Sequence, residues 1–334
     1  MHGERHARLV NRTDVSVSRA RNVGDRLVKP PRISAYGRDS AVSIGAVQEW
    51  SATSITRFTA LGDSITEGMC DTSRQPDGRY LGWADRLAMI LAGQPGRREP
   101  LQYANLAVRS RKVDHVLREQ IPQALAMRAD FVTILIGAND LANYRSDPDL
   151  LCDRLESGVA LLRRSGAQVM LATLFDPLFR FMKPMRRRAA VFNANLWGIA
   201  AQHGAMVFDL WNVTELAERD MWAEDRVHLS SAGHRVVAYR AAERLGVEDA
   251  RALSLLESSY HEGEERLTTA QWLRQHAAPW VRRRLRGVTA GDGMVSKHLE
   301  LEIVRPLPAV DSPHESGRQA GLDRLRDDGP RPVG

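Results

Sequence analysis

The sequence predicts an α/β protein, a three-layer α/β/α domain built on a parallel sheet of about five strands. Three observations carry that prediction. From position 57 onward, short apolar runs alternate with longer amphipathic ones, a pattern that implies right-handed βαβ crossovers and helices on both faces of the sheet. Hydrophobic residues make up 43% of 334 positions, enough to bury one sizeable core without disulfide support. Polar turns bearing Ser, Asn and Asp follow several of the apolar runs, at the strand ends where open α/β sheets collect their chemistry.

Taken in order, residues 1–54 lack sustained periodicity, are rich in Arg, Ser and Gly, and contain Pro30-Pro31. They read as a disordered basic leader, or as the product of an upstream start codon. The domain proper spans 55–247. Its strands are expected at 57–61, 102–107, 131–136, 168–174 and 206–210, the third (FVTILI) being the most β-prone. Helical patterns lie between and after them at 83–92, 113–127, 149–165, 186–203 and 231–245. Residues 248–305 read as a helical extension packed on the domain, with helices at 251–260 and 268–286. Trp272, Leu273, Trp280 and Leu285 can line one face of the second, Pro279 kinks it, and Arg282, Arg283, Arg284 and Arg286 are left solvated. Residues 306–334, rich in Pro, Gly and charge, read as a disordered tail.

The net charge of +6 raises the question of a nucleic-acid partner. Residues 1–50 hold nine Lys/Arg against five Asp/Glu, and residues 301–334 hold five against six, so the 250 residues between carry only +3. With 6% aromatic residues and no interleaved basic-aromatic platform, specific nucleic-acid binding is not expected. Cys70 and Cys152 have no CxxC or His-rich spacing, which argues for reduced thiols and against a disulfide or a structural zinc site. The N-terminus has no apolar signal core, and no run reaches the ~18 apolar residues of a membrane span. The expectation is a cytoplasmic protein of unstated oligomeric state.

The candidate chemistry begins at LGDSITEG, residues 61–68, which sets Ser64 in a glycine-flanked turn after the first strand. A serine hydroxyl becomes a nucleophile only with a base to take its proton and donors to hold an oxyanion. Asp225 precedes His228 by three residues in EDRVHLS, a spacing that can set a carboxylate against imidazole Nδ1 and leave Nε2 free for the serine. Asn139 and Asp140 follow the third strand in IGAND. Each motif has an ordinary reading as a capped or Asx-closed turn; their order and their places at one sheet edge favour the joint one.

These blocks, with YANLAVRSRKV at 103–113, resemble the SGNH (GDSL-type) serine hydrolases, in an actinobacterial-looking cytoplasmic branch, from about position 57 to 286. The resemblance implies a flavodoxin-like sandwich, with Ser64 as nucleophile, His228 as base and then acid, and Asp225 orienting it. It implies an oxyanion site of Ser64 N–H, a block-two backbone N–H and the Asn139 amide. At the block-two position, where the family has glycine, stands Ser110. If that position needs a positive φ, the serine is strained by roughly 1–3 kcal/mol. The expected function is a metal-independent esterase or acylhydrolase acting on a small-molecule ester or thioester, with no cofactor. Carbohydrate O-deacetylation and (lyso)phospholipid hydrolysis would use the same site, and the rival from another class is a binding module that keeps the fold without catalysis. Asn105 reads as a turn-fixing residue and Cys70 as a bystander. The segment 175–188 (FDPLFRFMKPMRRR) reads as a loop leading into the next helix, or else as a lid over an acyl chain with arginines for an anionic head group.

Overall fold

The computed structural model describes residues 51–251 except 74 and 76, short pieces between 268 and 282, and residues 289–307. The expectations for the leader at 1–50, for most of 252–288 with its Trp and Arg faces, and for the tail beyond 307 fall outside the described residues. Thr269–Trp272, within the second expected helix, is helical.

The sheet is ordered β5-β4-β3-β1-β2-β6, from β1 (Arg57–Gly62), β2 (Gln102–Asn105), β3 (Phe131–Leu135), β4 (Gln168–Ala172), β5 (Met206–Phe208) and β6 (His298–Ile303). Strands β1 to β5 are parallel. They begin at the residues expected from the sequence and, β1 apart, end one or two residues sooner, where the chain turns out into loops. The register of β1 is set at its start by Asp130, whose carboxylate accepts Thr56 N–H at 3.0 Å and Arg57 N–H at 2.9 Å. Farther along, Phe58 lies between Tyr103 and Phe131, ring centroids 5.0 and 5.1 Å away. Apolar residues on both sides of β1 are fully buried, so helices must cover both faces.

Helices α1 (Ser64–Glu67), α2 (Trp83–Ala92), α3 (Val113–His115), α4 (Ile121–Ala126), α5 (Ala138–Leu141), α6 (Pro148–Arg164), α7 (Arg186–His203) and α8 (Ser231–Arg244) supply that cover. Helix α2 packs with α8, and α6 with α7. Right-handed crossovers put the first pair on one face and α4, α6 and α7 on the other. The expected helix at 113–127 is interrupted by a π turn, Val116–Gln120. That turn delivers the buried Gln120 amide to β1, where its Oε1 accepts Gly62 N–H at 2.8 Å and its Nε2 donates to Gly62 O at 2.9 Å.

The five parallel strands are joined, among the described residues, by a sixth: the 248–305 extension, expected to be helical, ends in strand β6. This strand runs antiparallel along β2, pairing Gln102 with Ile303 and Tyr103 with Glu302. Leu299, Leu301 and Ile303 alternate with Glu300 and Glu302 as a strand should, yet Leu299 and Ile303 are largely exposed. The strand is held by a partner far earlier in the chain rather than by its own apolar face, and its glutamates blunt the open edge.

Just before β6, Lys297 reaches inward and is almost fully buried. Its ammonium donates to Glu67 O at 2.6 Å, to Tyr80 O at 3.1 Å and to the buried Asp85 carboxylate at 2.5 Å. One cation thus ties the extension to the C-terminal turn of α1 and to the first turn of α2. Lys297→Met keeps the stem and removes the charge, leaving Asp85 buried without its cation, and the expected cost is about 3–5 kcal/mol. Urea unfolding checks it, through a fall in midpoint at unchanged slope.

Candidate active site

The strand order places β1 and β3 side by side although the chain visits β2 between them. This is the switch point of a flavodoxin-type sheet, and a crevice opens there at the strands' C-terminal ends. Gly62, at the end of β1, has φ +152, and a Cβ on it would lie 2.4 Å from Leu135 O. Only glycine lets β1 pass so close to β3 before the chain turns into α1. Asp63 caps that helix, accepting Ile65 N–H at 3.2 Å. Ser64 is therefore the first residue of a one-turn helix pointing into the crevice, 8% exposed. Across the switch point Gly137 (φ +116) turns the chain out of β3 into α5, where a Cβ would meet the Phe192 ring at 2.6 Å.

His228 comes from a hairpin between β5 and α8. Trp222 bridges Leu229, Ala223 N–H donates to His228 O at 2.9 Å, and Arg226 takes the tight end at φ +62. Within this hairpin Asp225 Oδ1 accepts the N–H groups of Val227 and His228 at 2.9 and 3.0 Å. Its Oδ2 stands 2.5 Å from His228 Nδ1. A ring nitrogen facing a carboxylate at that distance carries the proton, which directs the other nitrogen outward. That nitrogen, Nε2, lies 2.9 Å from Ser64 Oγ. Burial alone would lower the His228 pKa, but the bonds the ring makes to Asp225 and Cys70 outweigh it and hold the imidazole above its ordinary 6.5. The same contact holds the Asp225 carboxyl well below its usual range, against the effect of burial.

The remaining predicted residues surround this pair. The Asn139 amide donates to Asp63 Oδ2 and to Arg111 O, both at 3.1 Å. It therefore bridges the residue before Ser64 and the residue after Ser110. Ser110 has φ +64, in the left-handed region. Among the described residues neither Ser64 N–H nor Ser110 N–H has a hydrogen-bond acceptor. Burial raises the Asp63 carboxyl to about 7 and the Asp140 carboxyl, which accepts Val113 N–H at 3.1 Å, to about 6. Asn105 is buried: its amide donates to Thr66 O at 2.9 Å and its Oδ1 accepts Ala107 N–H at 3.1 Å, tying the end of β2 to α1.

Several residues that sequence reasoning passed over turn out to hold the site. Glu67 accepts Arg109 N–H at 2.6 Å and the Arg109 guanidinium beside it, so α1 carries the 108–110 loop with it. Its place in ITEG, one turn after Ser64, is the only local signal. Trp222 packs edge-on against Phe175 and Phe179, at 5.4 and 6.0 Å between centroids, so the 175–188 segment buttresses the His228 hairpin. Two of the arginines in that segment are engaged locally. Arg186 pairs with Asp176 at 2.7 Å, and Arg188 donates to Leu141 O at 2.7 Å and Asn143 O at 3.1 Å. Cys70, at φ +69, brings its thiol to 3.5 Å from Asp225 Oδ2. The Cys70 sulfur, an Asp225 oxygen and a His228 nitrogen all lie within 4.8 Å of one another, which makes this trio a possible metal-ligand set.

Residues 60–236, just over half of the chain, match the model of the GDSL-like Lipase/Acylhydrolase family. Among solved structures, a catalytic mutant of an acetylxylan esterase from Geobacillus stearothermophilus is similar at 21% identity and TM-score 0.50, covering 58% of this chain and 95% of that one. An alpha/beta hydrolase enzyme from the metagenome of Lake Arreo, Spain, is 22% identical at TM-score 0.49, covering 57% of this chain and 95% of that one. The first of these likenesses extends to the fold. No curated protein matches the chain. Among the described residues no helix is long and apolar enough to cross a membrane.

Proposed function

Because the chain belongs to the GDSL-like lipase/acylhydrolase family and is an ester-hydrolysing enzyme, we propose that its reaction runs through an acyl-enzyme on Ser64. The observation that carries this is the unbroken line from Asp225 Oδ2 to His228 Nδ1 at 2.5 Å and from His228 Nε2 to Ser64 Oγ at 2.9 Å. His228 Nε2 takes the hydroxyl proton as Ser64 Oγ bonds to the ester carbonyl carbon, and Asp225 stabilises the imidazolium that forms. The carbonyl oxygen, now negative, is held by Ser64 N–H and Ser110 N–H, both without acceptors among the described residues, and by the Asn139 amide. Asn139 joins by exchanging one of its two present acceptors, Asp63 Oδ2 or Arg111 O, for the oxyanion. His228 then protonates the departing alkoxide, and the same base activates the water that frees the acid. No step requires a cofactor.

The reading in which the fold is kept without catalysis has little support in this geometry. The lid reading of 175–188, with its arginines meeting an anionic head group, is weakened by the engagement of Arg186 and Arg188. A small acyl ester is therefore the preferred substrate class, with carbohydrate O-deacetylation open to the same site. The reading keeps the chain in the cytoplasm, where its two thiols stay reduced.

Labelling with a fluorophosphonate probe tests the proposal. Folded protein should take up one probe, and peptide mapping should find it on Ser64; folded protein that does not label, or labels elsewhere, sinks the assignment. Ser110 yields a second expected result. Since it occupies φ +64, Ser110→Gly should relieve left-handed strain and raise stability by about 1 kcal/mol. Activity should stay the same or rise modestly, because the backbone donor is unchanged. Urea unfolding and p-nitrophenyl ester turnover measure the two effects, and complete loss of turnover would assign the hydroxyl an essential role.

A further inference from the structure

Cys70 belongs to no step of that reaction, yet its sulfur is placed against the catalytic pair. Three unlike ligands meet there from two separate parts of the chain: a thiol from the loop after α1, and a carboxylate and an imidazole from the 222–229 hairpin. We propose that the Cys70 sulfur, the Asp225 carboxylate and His228 Nδ1 form an inhibitory site for a borderline-soft divalent cation of the zinc type. The inference rests on the reading of His228 as the catalytic base and adds a means of switching that base off.

Geometry supports the ligand set. Tetrahedral zinc holds sulfur at about 2.3 Å and carboxylate oxygen at about 2.0 Å, which separates the two ligand atoms by about 3.5 Å. The observed separation of Cys70 Sγ from Asp225 Oδ2 is 3.5 Å. The same geometry needs about 3.3 Å between oxygen and Nδ1. The present 2.5 Å is the length of a hydrogen bond whose proton the metal would replace, so the pair has to open by under about 1 Å. The loop carrying Cys70 is clamped beyond it. Asp71 makes a buried ion pair with Arg86 and accepts Ser231 Oγ–H at 2.6 Å, and Thr72 N–H donates to Ser231 Oγ at 2.9 Å. Little ordering is then left for binding to impose. A thiolate with an imidazole and one carboxylate selects zinc over magnesium, calcium or manganese, which prefer all-oxygen shells.

The proton balance explains why such an ion would inhibit. The thiol gives up its proton to solvent, and the ring gives up the one on Nδ1 to make room for the metal. The ring proton that remains, or returns, sits on Nε2 and is donated to Ser64 Oγ. The serine then faces a donor where it needs an acceptor, and its own proton has nowhere to go. The ion's two positive charges are balanced by thiolate and carboxylate, with water completing the shell.

The test uses the full chain in a thiol-free buffer, with zinc and cobalt chlorides as probes. Micromolar zinc should lower p-nitrophenyl acetate turnover about tenfold or more, EDTA should restore it, and magnesium should have no effect. In Cys70→Ala the zinc concentration for half-inhibition should rise by at least about tenfold. Cobalt should give a thiolate charge-transfer band in the near ultraviolet with the native chain, with Ser64→Ala and with Cys152→Ala, but not with Cys70→Ala. Equal inhibition of Cys70→Ala, or a band that survives that substitution, overturns the site. Because the band is read in Ser64→Ala, failure of the metal site and failure of the esterase reading give different results: a band without turnover in the native chain removes the reaction and keeps the site, and turnover without a band does the reverse.

Discussion

Ser64→Ala is expected to lower kcat for a short-chain p-nitrophenyl ester by at least about 10³-fold, with the fold unchanged. The residue is 8% exposed and, among the described residues, its hydroxyl meets a single polar partner, His228 Nε2 at 2.9 Å. Removing one oxygen there creates almost no void, and the His228 side chain is 15% exposed, so water can take the place of the lost hydroxyl at Nε2 and urea unfolding should move by only a few tenths of a kcal/mol. A large kinetic effect with a negligible stability effect separates a nucleophile from a packing residue. Residual turnover within tenfold of the native chain would require another group, and the assignment of Ser64 would fall.

Asp225→Asn carries the second large effect, and its sign is read in the pH profile. The carboxylate stabilises the His228 imidazolium, so the pKa of the free base lies above 6.5. As the proposed base, His228 works only when neutral; kcat/KM should therefore be low in acid and rise with pH through that raised pKa, giving an alkaline-shifted limb. Asparagine takes away the negative charge, so the limb should move to lower pH. Asparagine also loses the acceptor that fixes the Nδ1–H tautomer, so the plateau should fall by roughly 10²–10⁴-fold. A fall in rate with the limb unmoved would show that Asp225 positions the hairpin without acting on the imidazole charge. The backbone bonds from Val227 and His228 to Oδ1 can survive in the amide, which keeps the hairpin closed and the comparison fair.

Most of the sheet was legible because its signal is local. The FVTILI run is strand-prone over its whole length, α2 lies between Gly82 and Gly93, and α7 stops at Gly204, so the bounds of these helices agree with the sequence to the residue. The meeting of Ser64 with His228 could be expected only in part: both follow parallel strands and so lie at one edge of the sheet, but β4 and β3 separate β5 from β1, and the long connection after β5 has to carry His228 back to Ser64. Their roles remain the proposal tested above. What could not be read was long-range. Strand β6 depends on β2, Lys297 on carbonyls of α1 and the 80 loop, and Cys70 on a hairpin some distance down the chain; no window of sequence contains both members of any of these pairs. Ser110 is intermediate: the motif raised the question of φ, and only coordinates supplied the value of +64.

The hold of Gln120 on Gly62 has a dynamic consequence. An amide inside a sheet is usually shielded from solvent exchange by a neighbouring strand, and it is released when the strands part. Gly62 N–H is shielded by a side chain presented from the π turn, which lies outside the sheet. Its exchange rate therefore reports the breathing of the turn beneath Ser64 separately from the opening of the sheet. Opening of the sheet and local motion of the turn beneath Ser64 can be timed on two neighbouring amides of one strand, Leu61 and Gly62.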